Sequence, residues 1–315
     1  MSMEFKNRVY GIAVVKAVNS NYNADFSGQP RRLPNGKVYA TDKAFKYTVK
    51  NYLKDVFDKE KVFYYKSLNE NLNPISLDES YKKHFGSYPT GTGKDKDKVV
   101  KTKVASNLLS CIDIRLFGAT FAGGTNISLH GPVQVNHGVN IWHEDNVYTE
   151  QITSPFSNKA NDPEAEKGMT TIGRQAKLEE GHYVHHFSIN PQNLLEVANL
   201  AGSEAKKLST DDIEKLKEGM RRGATWYDSA SKAGCENELL FWVQIKEGSK
   251  IVLPNFTSFI EILREKRNGR VVFDFQKLAS YLKKVNSDIE KMEIYYNEDN
   301  ADIVNLPQGI IVSNL

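Results

Sequence analysis

The chain has 315 residues, 40% of them apolar and 10% aromatic, enough for one large core or two modest ones. Its 42 Lys+Arg and 39 Asp+Glu leave a formal charge of only +3, so overall charge selects no partner and only the distribution of charge informs. The absence of an opening apolar run and of 18 consecutive apolar residues argues against a signal peptide and a transmembrane helix, and the expected location is cytoplasmic, away from membranes.

Val9–Val18 is short, apolar and rich in β-branched residues, which predicts a buried central strand. A polar loop follows, Asn19 to Arg32, and then a helix over 43–57. Phe45, Val49, Tyr52, Leu53 and Val56 recur at spacings of three and four, giving one apolar face. Lys43, Lys46, Lys50 and Lys54 recur on the opposite side, and four stacked ammonium groups repel one another. A chain tolerates that if the face is fully solvated or meets a polyanion, and the spacing alone leaves both open. Residues 1–54 carry ten basic side chains against three acidic ones, a local excess that attracts phosphate. The strand–loop–helix order sets this loop at a strand's carboxyl end, the rim where ligands bind in α/β sheets.

Residues 58–110 mix aromatics with the polar run Gly91–Lys98 and read as an insertion beside the main sheet. Across 107–121, Leu108, Ile112, Leu116 and Ala119 are helically spaced, and Asp113 and Arg115 cannot both lie on such a helix's core face. A strand over 129–136 is interrupted by Gly131-Pro132, and along it Gln134 and Asn136 share a face. Residues 142–181 read as a projecting hairpin with a polar tip, which must bury its apolar residues against something else. Strands over 182–190, 238–246 and 292–296, helices over 210–227 and 278–285, and a helix outlined by Phe256, Phe259, Ile260 and Leu263 complete the pass. The core elements run βαββαβ, the ferredoxin-like or RNA-recognition-motif plan of an α+β protein.

No catalytic site is assembled by any motif. Gly91-Thr92-Gly93-Lys94 lacks the Walker spacing, and Gly-x-Ser-x-Gly is missing. His182, His185 and His186 lie together, but a strand turns His185 away from the other two, so a metal site is not expected. Cys111 and Cys235 are expected to be reduced core thiols. Glu236 and Glu238 are expected in caps or salt bridges.

Five stretches occur in an order that resembles one family: Ser20-Asn21-Tyr22-Asn23-Ala24-Asp25, Ala40-Thr41-Asp42-Lys43, Asp113-Ile114-Arg115-Leu116-Phe117-Gly118, Gly131-Pro132-Val133-Gln134, and Met169-Thr170-Thr171-Ile172-Gly173-Arg174 with Gly234-Cys235-Glu236-Asn237-Glu238. The chain resembles the backbone subunit of CRISPR Cascade complexes, the Cas-seven superfamily, in its subtype I-B (Csh-two-like) branch. The resemblance implies a modified RNA-recognition-motif palm with a helical finger insertion and a β-hairpin thumb. On that plan residues 1–57, 111–141 and 182–315 are palm and C-terminal elements, 58–110 is the finger insertion and 142–181 the thumb. It implies a non-catalytic subunit without cofactor or metal that polymerises with copies of itself along CRISPR RNA. Its other partners would be the large subunit, the repeat-processing and 5'-handle-binding subunits, and target DNA. The RNA contacts it implies are Asn21, Arg31 and Arg32 in the loop, Lys43, Lys46 and Lys50 on the helix, Gln134 and Asn136 on the RNA path, Met169 as the thumb wedge and Arg174 beside it. Two departures stand out: Asn21-Tyr22-Asn23 where relatives often have a proline and a glycine, and Gly173-Arg174-Gln175 where a further basic residue is common. The alternative is a type III-like subunit that cuts target RNA with a metal and Asp25, against Asp25 as a turn former.

Overall fold

The computed structural model describes residues 3–156 and 172–315. The chain opens with β1 (Val9–Ser20), crosses the loop to β2 (Tyr39–Ala40), and enters α1 (Asp42–Val56), whose N-cap Thr41 accepts a hydrogen bond from the Ala44 amide. Then come α2 (Leu77–Phe85), started by a Ser76/Glu79 capping box, α3 (Lys96–Leu109) and α4 (Ile112–Phe117). Four short strands follow, β3 (Gly118–Ala122), β4 (Asn126–His130), β5 (Val133–Val135) and β6 (Gly138–Asn140). Next are β7 (Val147–Thr153), the long β8 (Ile172–Ile189), α5 (Gln192–Leu200), α6 (Thr210–Trp226) and β9 (Cys235–Ile245). The last part holds β10 (Glu261–Ile262), β11 (Val271–Asp274), α7 (Gln276–Lys284), β12 (Ile289–Tyr296), β13 (Ala301–Val304) and β14 (Ile311–Ser313). This is a mixed α+β architecture with seven α-helices among the described residues, none long and apolar enough to cross a membrane.

The main sheet runs β14-β12-β9-β1-β8-β6-β2, with β5 and β7 also paired to β8. β1 is antiparallel to both central neighbours, with Lys16 opposite His182 on one side and Glu236 on the other. Its odd positions Val9, Ala13, Val15 and Ala17 join a core with α1 and α6, where Phe45, Val49, Leu53, Ile213, Leu216 and Met220 converge. Its even positions Tyr10, Ile12 and Val14 join a second core with Phe241, Phe273, Phe275, Leu278 and Leu282 from the C-terminal elements. Burial on both faces is why β1 reads as an unbroken apolar run. A third core around Phe63, Tyr81, Leu108, Phe121 and Leu129 unites the 58–110 region with α4, β3, β4 and α5.

Several local expectations change. Residues 107–121 do not form one helix: α3 stops at Leu109, α4 at Phe117, and Gly118 turns with φ +77° so that Ala119 lies in β3. Asp113 and Arg115 are both buried, because α4 lies between two cores and has no solvent face. The Asp113 carboxylate accepts the Phe63 and Tyr64 amides at 2.8 and 2.9 Å. The 129–136 strand is two strands, β4 paired to β3 and β5 to β8, separated at Gly131-Pro132. There the backbones almost touch: a Cβ on Gly131 would lie 2.1 Å from the Phe117 carbonyl carbon, and one on Gly118 would lie 2.4 Å from the Gly131 nitrogen. Hence two of the motif glycines answer one close approach of main chains. Phe256–Ser258 is only a 3₁₀ turn, followed by β10 rather than by a helix. Both arms of the 142–181 hairpin pair in register from Val147 opposite Leu178 to Thr153 opposite Ile172. Its returning arm and the 182–190 strand are one continuous β8, so the division at 181/182 falls inside a strand.

Candidate nucleic-acid interface

The loop between β1 and α1 is a hydrogen-bonded structure with its own anchor points. The buried Asn21 amide donates to the Gly28 and Ala176 carbonyls at 3.1 and 3.2 Å, tying the loop to the base of the β7–β8 hairpin. Asn21 therefore holds the loop in place and points inward. Asn23 accepts from the Thr41 amide and hydroxyl at 2.9 and 3.0 Å, fixing the helix N-cap. Lys232 donates to the Tyr22 carbonyl at 2.6 Å. Half-buried Arg31 spends its Nε on the Ala24 carbonyl at 3.1 Å. Arg32 is exposed and reaches the Gly36 and Asp145 carbonyls at 2.7 and 3.1 Å. The Asp25 Oδ1 accepts from the Ser27 amide, the Ser27 hydroxyl and the Gln29 amide at 2.8, 2.7 and 3.0 Å. Those bonds, that of the Ser27 hydroxyl first, hold its pKa below the usual carboxylate range.

The lysine stripe of α1 is not one solvated face. Residues 58–65 fold back over it, with Tyr65 stacked on Tyr47 at 5.3 Å. Lys43 stands at the exposed end, its ammonium 3.1 Å from Asp42. Lys46 lies 3.4 Å from the other Asp42 oxygen and 5.6 Å over the Phe117 ring. Lys50 donates to the Tyr64 carbonyl at 2.8 Å. Burial lowers the pKa of both Lys46 and Lys50, against the pull of Asp42 on the first and Asp113 on the second. Lys54 pairs with Asp55 at 2.9 Å.

Around the exposed end of α1, contacts run from Tyr39 to His137 (ring centroids 5.1 Å), from His137 to Asp42 (4.0 Å), and on through Lys46 and Phe117 to Gly131. Exposed Gln134 donates to the Gly131 carbonyl at 2.8 Å. Asn136 accepts from the His186 amide at 2.7 Å, which ties its Oδ1 to β8. The fold thus gathers Lys43, Lys46 and Gln134 on one strip, and Arg31, Arg32 and Asn21 at the hairpin base. Arg174 is exposed on β8 opposite Gln151, and Met169 lies outside the described residues. His137 and Tyr39 were not among the contacts read from the sequence. Their signal was position: His137 follows Asn136 directly and Tyr39 lies four residues before Lys43.

The histidines divide as a strand requires. His185 stacks on Phe45 at 4.9 Å on the helix side, and burial lowers its pKa to about 4. His182 faces the other way, fully buried, with Nδ1 2.5 Å from Glu238 and Nε2 3.3 Å from Glu180, which Lys266 holds at 2.7 Å. Burial opposes the imidazolium, but the two carboxylates outweigh it and raise the pKa to about 9. Its folded pKa exceeds the ordinary 6.5, so the stabilisation is complete below that pH and is lost as pH rises through about 9. The denaturant midpoint is expected to fall across that window and to lose most of this dependence in Glu238→Gln; an unchanged slope in the variant would refute the assignment. Among the described residues no three His, Cys, Asp or Glu side chains gather for a metal ion.

The Gly234–Glu238 motif is structural throughout. Cys235 Sγ lies 3.3 Å from Ser20 Oγ, Glu236 pairs with Lys16 at 3.0 Å, and Glu238 holds His182. The Asn237 Oδ1 accepts from the Ala224 and Thr225 amides at 2.9 and 3.1 Å, and its Nδ2 donates to the Met220 carbonyl at 2.7 Å, bracing the last turn of α6.

Among solved structures, a chain of a CRISPR RNA-guided surveillance complex shares this fold with TM-score 0.50 and 13% identity, covering 94% of this chain and 91% of that one. A chain of a CRISPR RNA-guided surveillance complex in a pre-nicking state shares it with TM-score 0.53 and 14% identity, covering 96% and 95%. No curated protein matches the chain. Residues 7–283, from just before β1 to the last turn of α7, match the family described as CRISPR-associated protein Cas7. The chain belongs to the Cas7 family of CRISPR-associated proteins.

Proposed function

We propose that this chain is a non-catalytic backbone subunit of a type I, subtype I-B, CRISPR surveillance complex in the cytoplasm. It polymerises along CRISPR RNA, grips the phosphate backbone and leaves bases free to pair with target DNA. The large subunit and the repeat-processing and 5'-handle-binding subunits complete the assembly. The carrying observation is the unit formed by the basic loop, the exposed N-terminal end of α1 and the base of the β7–β8 hairpin, joined through Asn21, Asn23 and Thr41. The order β9-β1-β8-β5, with α1 and α6 on one face, supports a ferredoxin-like palm. The second face of that sheet is closed by the C-terminal elements, which favours phosphate and hairpin contacts over base stacking on the sheet. In this reading Asp25 is a turn former, its Oδ1 occupied by three loop donors.

Purified protein is expected to carry a discrete RNA of CRISPR-repeat length. With complementary RNA and Mg²⁺ the assembled complex should make no cuts; regularly spaced cuts that vanish in Asp25→Asn would replace this reading with the cleaving one. Within the lysine stripe, Lys43→Ala is expected to weaken RNA binding and flatten its salt dependence by about one contact's worth, while Lys50→Ala leaves the slope unchanged. Equal effects at both positions would show that Lys50 leaves the Tyr64 carbonyl to bind RNA.

A further inference from the structure

Phe26 sits at the tip of the loop between β1 and α1 with its side chain wholly in solvent, 106% exposed. It is not on a floppy segment. The Asp25 carboxylate binds three donors immediately after it, the Asp25 amide donates to the Gln29 carbonyl at 2.8 Å, and Ala24 bridges to Pro30. The turn therefore holds the backbone that carries the ring, while the ring itself stays free to meet a ligand. The Arg31 guanidinium, steered by its bond to Ala24, stands 6.0 Å from the ring centroid. Its neighbours along the chain, Asn23, Ala24, Ser27 and Gly28, carry no large apolar side chain, and Phe26 joins none of the three cores. A lone aromatic beside a cation, amid polar residues, suits a flat π surface that carries negative charge nearby. It suits an apolar pocket poorly, since nothing around it would be buried alongside.

We infer that Phe26 is a stacking platform for one unpaired nucleobase of bound RNA, with Arg31 serving the adjoining phosphate. This rests on the RNA-binding reading above. It adds a base contact that is tolerant of sequence, because every base has a π face.

The test is binding of a labelled single-stranded RNA of mixed sequence to Phe26→Ala, Phe26→Leu and Phe26→Trp across a salt series. Phe26→Ala should lose affinity roughly 5- to 100-fold, the range one aromatic stack supplies, with the salt slope unchanged because no phosphate contact is removed. Phe26→Trp should retain affinity and Phe26→Leu should not. The same RNA carrying abasic sites throughout should bind wild type and Phe26→Ala alike. Wild-type binding with no loss in Phe26→Ala overturns the inference and spares the broader reading. Full rescue by Phe26→Leu, or a changed oligomeric state in Phe26→Ala with intact RNA affinity, overturns it in favour of a contact with a second copy of the chain. No binding by wild type fails both.

Discussion

Arg115→Met is expected to destabilise the protein by about 3–5 kcal/mol, the cost of stripping one partner from a buried ion pair. The guanidinium is buried and makes a two-pronged contact with Asp212, Nη2 to Oδ1 at 2.6 Å and Nε to Oδ2 at 3.1 Å. Nη1 also donates to the Leu109 and Ser110 carbonyls at 3.0 and 2.9 Å, closing the end of α3. Glu60 adds a longer contact at 3.4 Å. One side chain thereby joins α3, α4 and the capping box that starts α6. Removing it takes the guanidinium from two carbonyls and from a buried carboxylate that keeps only the Ser209 amide on Oδ2. Lysine cannot substitute, because a point ammonium lacks the planar fork. The denaturant midpoint reports the loss, and Arg115→Met with Asp212→Leu should recover part of it by removing the stranded charge. A loss under about 1 kcal/mol for the single variant would place the pair among interactions of surface strength.

Arg32→Ala with Lys43→Ala is the second large effect, and it falls on binding. The two side chains stand at the two ends of the proposed track, one by the hairpin base and one at the start of α1. Neither is a buried support, so the fold should be untouched. Losing two phosphate contacts to single-stranded RNA should reduce the magnitude of the salt slope by about 1.4. Affinity at low salt should fall roughly 10- to 100-fold, without regard to RNA sequence. Filter binding over a salt series measures both. An unchanged slope would remove this strip from the RNA path, whereas loss confined to certain sequences would mean that the residues read bases.

Much of the architecture is legible in local pattern. The apolar faces of α1, α6 and α7 follow from a period of about three and a half, since each buries its stripe against a neighbour, and β1 and β9 follow from continuous apolar runs, since both are buried along nearly their whole length. The family motifs are legible as well, but not their work. Gly118 and Gly131 lie thirteen positions apart yet answer a single close approach of backbones. Asn237 braces the end of α6, and Glu238 holds a histidine on a strand two places away. Those tasks depend on pairing across the sheet, which no local window contains. Helical spacing across 107–121 misled for the same reason: with cores on both sides, α4 has no face to reserve for charge, and Asp113 and Arg115 are accommodated by distant partners.

The sequence by itself determined the long periodic elements, their amphipathic faces, the basic bias of the first 54 residues and the family, because these are local or ordered along the chain; it did not determine the breaks within 107–121 and 129–136 or the turn at Phe256–Ser258. Tertiary structure decided which charges remain available. The lysine stripe has one helical spacing but four fates, set by where residues 58–65 and the α4 region fold against it. Lys43 is left in water, Lys46 and Lys50 are drawn under Asp42, Phe117 and Tyr64, and Lys54 is matched by Asp55. Desolvation and a nearby carbonyl or carboxylate decide how strongly an ammonium is held: the carboxylates of Asp42 and Asp55 belong to the helix itself, whereas the Phe117 ring and the Tyr64 carbonyl are brought by segments folded against it.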